Sequence, residues 1–229
     1  MKTQRFLLPS TLLLAAACSS AGYVSPELTT RMNRHQVIAV LPFEVVMAGK
    51  PPGGLTSAQL ARAEENDSVA FQTALYYSLL NQASANRKHP IRVRIQPADE
   101  TNRLLEQNGI GIRESWGMSA KSLARVLRVD AVVSTTVHTM RYLSGGESFA
   151  IETGLVVVNE VTEGRLAPFL PWSLSTTADI GANCELIDTL DDSVIWQSDM
   201  SAATDWRAPP EDIIAGFTHD LAKKFPYRG

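Results

Sequence analysis

The side chains with the widest chemical range in this 229-residue chain are four histidines and two cysteines. The histidines are spread along the chain, at His35, His89, His138 and His219. Neither Cys-x2-Cys nor His-Glu-x2-His spacing occurs, so the sequence predicts no metal site and no cofactor. Ser134 and His138 fall in one β-branched segment, where four residues span about 13 Å, too far for a nucleophile and its base. Because a Gly-x-Ser-x-Gly elbow is also missing, we expect a protein that is not an enzyme.

Three carboxylates, Asp188, Asp191 and Asp192, cluster at the end of a predicted hairpin. Aspartate favours tight turns, so turn geometry explains this cluster better than paired acid–base chemistry does. In the alternating segment before the turn, Cys184, Leu186 and Asp188 share one face of a strand. We expect the Cys184 thiol to be buried and unreactive, because buried cysteines behave as small apolar side chains.

Four large aromatic residues fall in or near predicted loops, and these are Phe169, Trp172, Trp116 and Trp206. Tryptophan is enriched where a few residues dominate the binding energy of a protein interface. An aromatic ring can equally lie under its own loop as the rim of a core. We take the four as candidate interaction residues, with both interpretations open.

The N-terminus has the pattern of an export signal. Lys2 and Arg5 precede an apolar stretch, which ends in three alanines and Cys18. Residues 6–17 are twelve in number, too few for a transmembrane helix, which needs about 20. Small residues before a cysteine resemble a bacterial lipoprotein signal, in which the cysteine receives a diacylglycerol, although Ala15 stands where that motif has leucine. The resemblance implies removal of residues 1–17, a palmitate-type lipid on Cys18 and a membrane anchor.

Cleavage would also change the charge of the chain. Loss of Lys2 and Arg5 leaves 19 basic against 24 acidic side chains, a net charge of −5. Such a surface lacks the basic footprint that nucleic acid needs, so we expect no nucleic-acid partner. Ser19 after the cysteine resembles an outer-membrane sorting signal, which implies an anchor in the outer membrane with the domain on the periplasmic face.

The segment pattern divides the mature chain into a tether and one domain. Residues 18–35 lack periodicity and predict a lipidated flexible tether with a typical span of about 23 Å. The apolar segment 37–41 predicts a buried strand that ends at Pro42. Residues 44–65 read as a long loop in which a short helix could form at the end, near Ala58 to Glu65. A further helix is expected to start at Asn66 or Asp67. Residues 36–229 are therefore expected to form a single periplasmic domain.

Later segments complete the pattern. Residues 91–95 alternate as a half-exposed strand, and Pro97 and Gly109 bracket a short helix. Ser119 is placed to cap another helix, and strands follow at 130–140, 148–158, 175–190 and 193–202. The last helix opens with acids after Pro209 and closes with lysines before Pro226. This order predicts an α/β (mixed α+β) fold, with a single mixed sheet, antiparallel hairpins and helices packed on it.

Three short motifs carry a resemblance to known proteins. They are Ile38-Ala39-Val40-Leu41-Pro42-Phe43, the step from Leu127 to Val133, and Leu186-Ile187-Asp188 followed by Val194-Ile195-Trp196. They resemble the periplasmic α/β domain of bacterial envelope-assembly lipoproteins, such as the curli secretion lipoprotein, the amino-terminal domain of the Tol translocation protein, and small lipoproteins of similar length. The resemblance implies an assembly, scaffold or secretion-associated component that binds an envelope protein or further copies of itself.

A second hypothesis comes from a different class. The chain could be a periplasmic ligand-binding or hydrolytic module, in which residues 44–65 act as a lid. Missing motifs do not exclude it, because catalytic groups are recognised by their geometry. A deep pocket with convergent polar groups beneath that loop would favour this hypothesis.

Overall fold

The computed structural model describes residues 22–49, 56–85, 93–141, 176–205 and 209–227. The strands are β1 (Gly22–Val24), β2 (Val37–Val40), β3 (Glu44–Gly49), β4 (Arg94–Gln96), β5 (Ala131–Arg141), β6 (Thr176–Asp188) and β7 (Ser193–Asp205). The helices are α1 (Leu28–Met32), α2 (Ser57–Ala85), α3 (Ala98–Gln107), α4 (Ile112–Trp116), α5 (Ala120–Leu127) and α6 (Pro210–Lys224).

The strands form one mixed sheet in the order β1-β7-β6-β5-β2-β4, and β3 also pairs with β5. β2 runs parallel to β4 and β5, and β3 runs parallel to β5. The pairs β5–β6, β6–β7 and β7–β1 are antiparallel. The predicted mixed α/β fold with antiparallel hairpins is confirmed.

β2 and β3 lie end to end along the same side of β5. Val40 faces Val133 and Glu44 faces Thr136, so three residues around Pro42 oppose two residues of β5. Such an extra residue is a β-bulge, and proline suits it because proline has no N–H to donate to the ladder. The first strand ends before Pro42, as expected, and what the sequence did not predict is that pairing with β5 resumes in β3 after the bulge.

The predicted loop 44–65 is wrong in its first part, whereas the short helix expected near residues 58–65 is present as the start of a longer helix. Its first part is β3, and α2 already begins at Ser57. The Gln59 amide donates to the Thr56 hydroxyl over 3.3 Å, and the Thr56 amide donates to the Gln59 side chain over 2.9 Å. This reciprocal capping box starts the helix well before the predicted positions Asn66 and Asp67. A strand and a helix occupy most of the segment, so its described residues do not form the long loop that the lid hypothesis requires.

Helices cover the sheet on two faces. On the α2/α6 face, buried residues of the sheet and of both helices share one core, among them Ile38, Val40, Leu75, Phe71, Leu186, Phe217 and Leu221. On the α3–α5 face, a second core joins Ala39, Leu41 and Val132 of the sheet to Leu105, Leu123 and Leu127. Alternate residues of β2 thus enter different cores, which explains its continuous apolar sequence.

The predicted tether is folded over its described part. Gly22 pairs with Ser198 and Val24 with Trp196, and α1 follows directly. The expectation of a flexible tether is therefore wrong for residues 22–35. Residues 18–21 lie outside the described residues, as do the predicted strand 148–158 and the candidate residues Phe169, Trp172 and Trp206.

The C-terminal helix agrees with its prediction. α6 begins at Pro210 with Glu211 and Asp212 in its first turn, and Lys223 and Lys224 lie in its last turn. This arrangement complements the helix dipole at both ends. Among the helices of the described ranges, none combines the length and apolar character that crossing a bilayer requires.

Candidate functional site

Trp116 is the candidate interaction residue that the structure describes. It is the last residue of α4, a short helix in which the Glu114 carboxylate accepts from the Gly111 amide over 3.4 Å. The helix end lies over the bulge between β2 and β3. Together they enclose a cleft of about 50 Å³. Trp116 shares the lining of this cleft with Pro42, Glu44, Met118, Leu123, Ser134 and Ile187.

The indole N–H of Trp116 is buried and has no hydrogen-bond partner in the described part of the chain. A buried donor left without an acceptor costs about 1–3 kcal/mol. Another polar group of the cleft has a partner, because the Glu44 carboxylate accepts from the Thr136 hydroxyl over 3.0 Å. The free indole N–H therefore favours the arrival of an acceptor, such as a water molecule or an oxygen of a binding partner.

A charged group covers the outer side of the Trp116 ring. The guanidinium carbon of Arg113 lies 5.1 Å from the ring centroid, which is within the range of a cation–π contact. Arg113 also pairs with Glu64, and its Nε lies 3.3 Å from Glu65 Oε1. These ion pairs fix the guanidinium between α2 and α4, so tryptophan and arginine together form a preorganised surface feature. We call Trp116, Arg113, Glu64 and Glu65 the Trp116 surface.

The size of the cleft limits its chemistry. A volume of about 50 Å³ accommodates a few water molecules, whereas pockets for small molecules usually have about 300–1,000 Å³. Ser134 lines the cleft but His138 of the same strand is exposed, so the structure does not bring them together. The cleft suits one inserted side chain better than a metabolite.

A second group of polar residues lies at the other side of the sheet, around Asp188. The side chain of Asp188 is 3% exposed. Its Oδ2 lies 3.4 Å from Arg31 Nη1, 3.5 Å from Arg34 Nη2 and 3.5 Å from His35 Nε2. The other ring nitrogen of His35 forms a hydrogen bond with the Tyr227 hydroxyl. We call these residues the Asp188 cluster.

Burial and charge act in opposite directions in this cluster. Burial lowers the pKa of His35, and the charge of Asp188 offsets this only in part. Burial raises the pKa of Tyr227. On the exposed side, hydrogen bonds from Ser193 and then Arg31 lower the pKa of Asp191 to about 2. At neutral pH, His35 is therefore uncharged, and Asp191 is an anion.

The Asp188 cluster connects parts of the chain that are distant in sequence. Arg31 of α1 reaches Asp188 and also Asp191, at 2.9 Å, in the hairpin between β6 and β7. Tyr227 adds the residues that follow α6. The cluster therefore connects α1, the β6–β7 hairpin and the residues after α6.

Sequence reasoning missed this role for His35, which it placed in the tether. One usable signal was present, because Asp188 shares a strand face with the buried residues Cys184 and Leu186. A carboxylate on a buried face requires a partner. The expected burial of Cys184 is confirmed, and burial raises the pKa of its thiol to about 12.

The described residues contain no group of three histidine, cysteine or acidic side chains that could hold a metal ion. The predicted lipid site, Cys18, and the aromatic residues Phe169, Trp172 and Trp206 lie outside the described ranges. Of the candidate residues named from sequence, Trp116 therefore lies in the described ranges, at the cleft beside the end of α4.

No protein-family model and no curated protein matches this chain. Several solved structures are similar to it. Lipoprotein GNA1162 from Neisseria meningitidis has 12% identity and a TM-score of 0.45, over 82% of this chain and 96% of that one. The PelC dodecamer from Paraburkholderia phytofirmans has 15% identity and a TM-score of 0.41, over 89% and 93%. The LpoB C-terminal domain from Salmonella enterica has 11% identity and a TM-score of 0.35, over 78% and 94%.

These neighbours agree in kind with the resemblance to bacterial envelope lipoproteins. Because their TM-scores lie below 0.5 and their identities do not exceed 15%, they carry no information about the activity or partner of this chain.

Proposed function

We propose that this protein is a lipid-anchored component of the bacterial cell envelope that acts through protein–protein contacts rather than catalysis. Its anchor is a lipid on Cys18, inserted in the outer membrane so that the domain lies on the periplasmic side. Its role is that of an assembly, scaffold or secretion-associated protein. The partner is another envelope protein or further copies of the chain.

The observation that carries this proposal is the Trp116 surface. Tryptophan and arginine are the residue types most enriched among those that dominate interface energies. Here the arginine is held over the ring by Glu64 and Glu65, and the indole N–H still lacks an acceptor. We infer that a partner inserts a side chain that carries an acceptor oxygen into the cleft. Phe169, Trp172 and Trp206 remain proposed contact residues.

The alternative of a ligand-binding or hydrolytic module has less support. Its lid was to be the segment 44–65, which instead contains β3 and the first turns of α2. The cleft beside Trp116 is smaller than a metabolite requires.

The test is the native mass of the full-length protein, extracted from its own membranes in mild detergent. We expect a discrete complex larger than one chain, and crosslinking in intact cells should capture the same partner. Trp116→Ala should reduce the amount of complex. Tyr77→Ala is the matched control, because Tyr77 is a 58% exposed aromatic residue on α2, about 18 Å along that helix from Glu65.

Two results would contradict the proposal. A monomer that captures no envelope protein would remove the assembly role. Equal loss of complex in Trp116→Ala and Tyr77→Ala would remove the Trp116 surface as the contact. Mass spectrometry of the N-terminal peptide tests the anchor separately, by the presence or absence of acyl chains on Cys18.

A further inference from the structure

The distance between the proposed anchor and the folded domain is short. Only residues 19–21 separate Cys18 from Gly22, where β1 begins. Four residue steps span at most about 14 Å in any conformation. The domain therefore cannot stand clear of the membrane as the predicted tether of residues 18–35 would have allowed.

The start of the domain is also firmly attached. All three residues of β1 pair with β7, and the Ser25 amide donates to the Ile195 carbonyl over 2.9 Å. α1 is then held to the hairpin by Arg31, which contacts Asp191 at 2.9 Å. Lengthening the tether would require all of these contacts to break. The part of the surface beside Gly22 is therefore the part nearest to the lipid.

The basic end of α6 lies at this position. Gly22 pairs with Ser198, and the next residue, Asp199, has its carbonyl 3.5 Å from Lys224 Nζ. Lys223 and Lys224 are both exposed, although Lys223 also contacts Asp220 at 2.8 Å. The acidic first turn of α6 lies about 20 Å away along the helix. The charge distribution of α6 therefore places its cations beside the anchor.

Exposed apolar surface accompanies these cations. Tyr23 is 47% exposed and Val24 is 59% exposed, both in β1 at the edge of the sheet. Tyrosine is enriched at membrane–water interfaces, where its ring and its hydroxyl meet different environments. Successive strand residues point to opposite faces, so Val24 lies on the α2/α6 face with its partner Trp196, and Tyr23 lies on the other face with Gln197. Because β1 is the edge strand, an edge placed against the headgroup region of a phospholipid bilayer would bring both side chains to it.

We propose that this corner, made of β1 and the last turn of α6, lies on the phospholipid headgroups. Lys223 and Lys224 contact lipid phosphates, and Tyr23 lies at the interface. The inference rests on the proposed acylation of Cys18. The net charge of −5 after cleavage opposes adsorption of the free domain, so the covalent anchor holds the protein at the surface and the corner sets its orientation.

The experiment uses the full-length acylated protein in vesicles of phosphatidylethanolamine and phosphatidylglycerol. Spin labels are attached to Tyr23→Cys and, as a control, to Leu190→Cys. Leu190 is 67% exposed in the β6–β7 turn, and β7 separates Ser193 from Ser198 by roughly 17 Å. Cys184 stays unlabelled because it is buried. The readout is the accessibility of each label to oxygen, which enters lipid, and to a water-soluble nickel chelate.

We expect the label at position 23 to favour oxygen and to lie within about 10 Å of the phosphate plane, and the label at position 190 to favour the chelate. Adding Lys223→Glu and Lys224→Glu should move the first label toward water. Acylated protein in which both labels are equally aqueous would overturn the inference and leave the anchor intact. An N-terminal peptide without acyl chains would overturn both proposals. An unchanged label depth in the double variant would overturn the role of the lysines.

Discussion

The two halves of the sheet differ in how many of their faces are covered. In the parallel half, Ile38, Ala39 and Val40 of β2 are consecutive and at most 1% exposed, because helices pack on both sides. In the antiparallel half, burial alternates along β6 from residue 179 onward, where the buried residues are Ile180, Ala182, Cys184, Leu186 and Asp188. One face of that half packs on the α2/α6 core, and the other carries polar side chains.

The polar face has its own contacts. The Asn183 amide donates to the Asp199 carboxylate over 2.7 Å across the β6–β7 pair. Partial burial, and then the nearby charge of Asp199, raise the pKa of Glu185. In the parallel half, core packing stabilises both faces of the sheet. In the antiparallel half, core packing stabilises one face, and pairwise polar contacts lie on the other.

The largest effects should come from truncating the cores. Leu75→Ala on the α2/α6 face and Leu123→Ala on the α3–α5 face should each lower the free energy of unfolding by about 4 kcal/mol, because both leave cavities. Leu186→Ala should cost a similar amount in the antiparallel half. Urea denaturation measures all three. A loss below 1 kcal/mol for Leu123→Ala would contradict coverage of the parallel half on both faces.

A smaller effect is expected from the buried carboxylate of the antiparallel half. Asp188→Ala should cost about 3 kcal/mol, because it leaves Arg31 and His35 without their buried partner. Asp191→Ala is the control and should cost clearly less than Asp188→Ala, because its side chain is 46% exposed and solvent screens its ion pair. Urea denaturation measures both variants. Equal losses of unfolding free energy would show that the buried contact of Arg31 with Asp188 is no stronger than its exposed contact with Asp191.

The same cluster should make stability depend on pH. Since burial lowers the pKa of His35 in the folded state, the unfolded chain takes up the proton first. Stability should therefore fall as the pH drops below about 6.5 and should stop falling once the folded histidine is protonated too. The pKa of Asp191 is lowered to about 2 in the folded state, so folding stability should fall again as the pH drops from about 4 to about 2.

His35→Gln is the variant that isolates the first of these losses. It removes the titrating group while keeping a polar side chain beside Tyr227. The melting temperature of the variant, measured between pH 7 and pH 5, should change less than that of the parent protein. Parallel curves for the two proteins would assign the acid sensitivity to other groups.

The smallest effects should come from the polar face. Gln197→Ala should change the free energy of unfolding by less than about 0.5 kcal/mol, as is usual for surface substitutions. Asn183→Ala should cost about 1 kcal/mol, because it removes the hydrogen bond to Asp199. A loss above 2 kcal/mol for Gln197→Ala would mean that this face is packed, and the contrast between the halves would disappear.

The sequence predicts the elements whose periodicity is long or whose caps are strong. The spacing and end charges of α6 identify it, and the Ser119 hydroxyl accepts from the Ser122 amide as the predicted cap of α5. β1 and α1 have only three and five residues, so they carry no periodic signal. Their positions depend on partners such as Trp196 and Asp191, which are distant in the sequence.

One error had a signal that was overlooked, and a second had none. The Thr56-x-x-Gln59 pattern is a capping box and marks the true start of α2. β3 was hidden because Pro42 usually ends pairing, whereas a bulge lets the strand continue. At the candidate site, the identity of Trp116 could be predicted, but its contact with Arg113 depends on how α4 packs against α2 and therefore on the tertiary structure.

The pairing of β1 with β7 sets an order of events in folding. Gly22 and Ser198 are adjacent in the sheet but belong to opposite ends of the chain, so this contact is among the most non-local in the fold. In an exported chain the N-terminus emerges first, and β7 follows near the end of translocation. A newly acylated chain would therefore wait on the membrane with its first strand unpaired. If Cys18 is acylated as proposed, the segment that is anchored first would be among the last to fold.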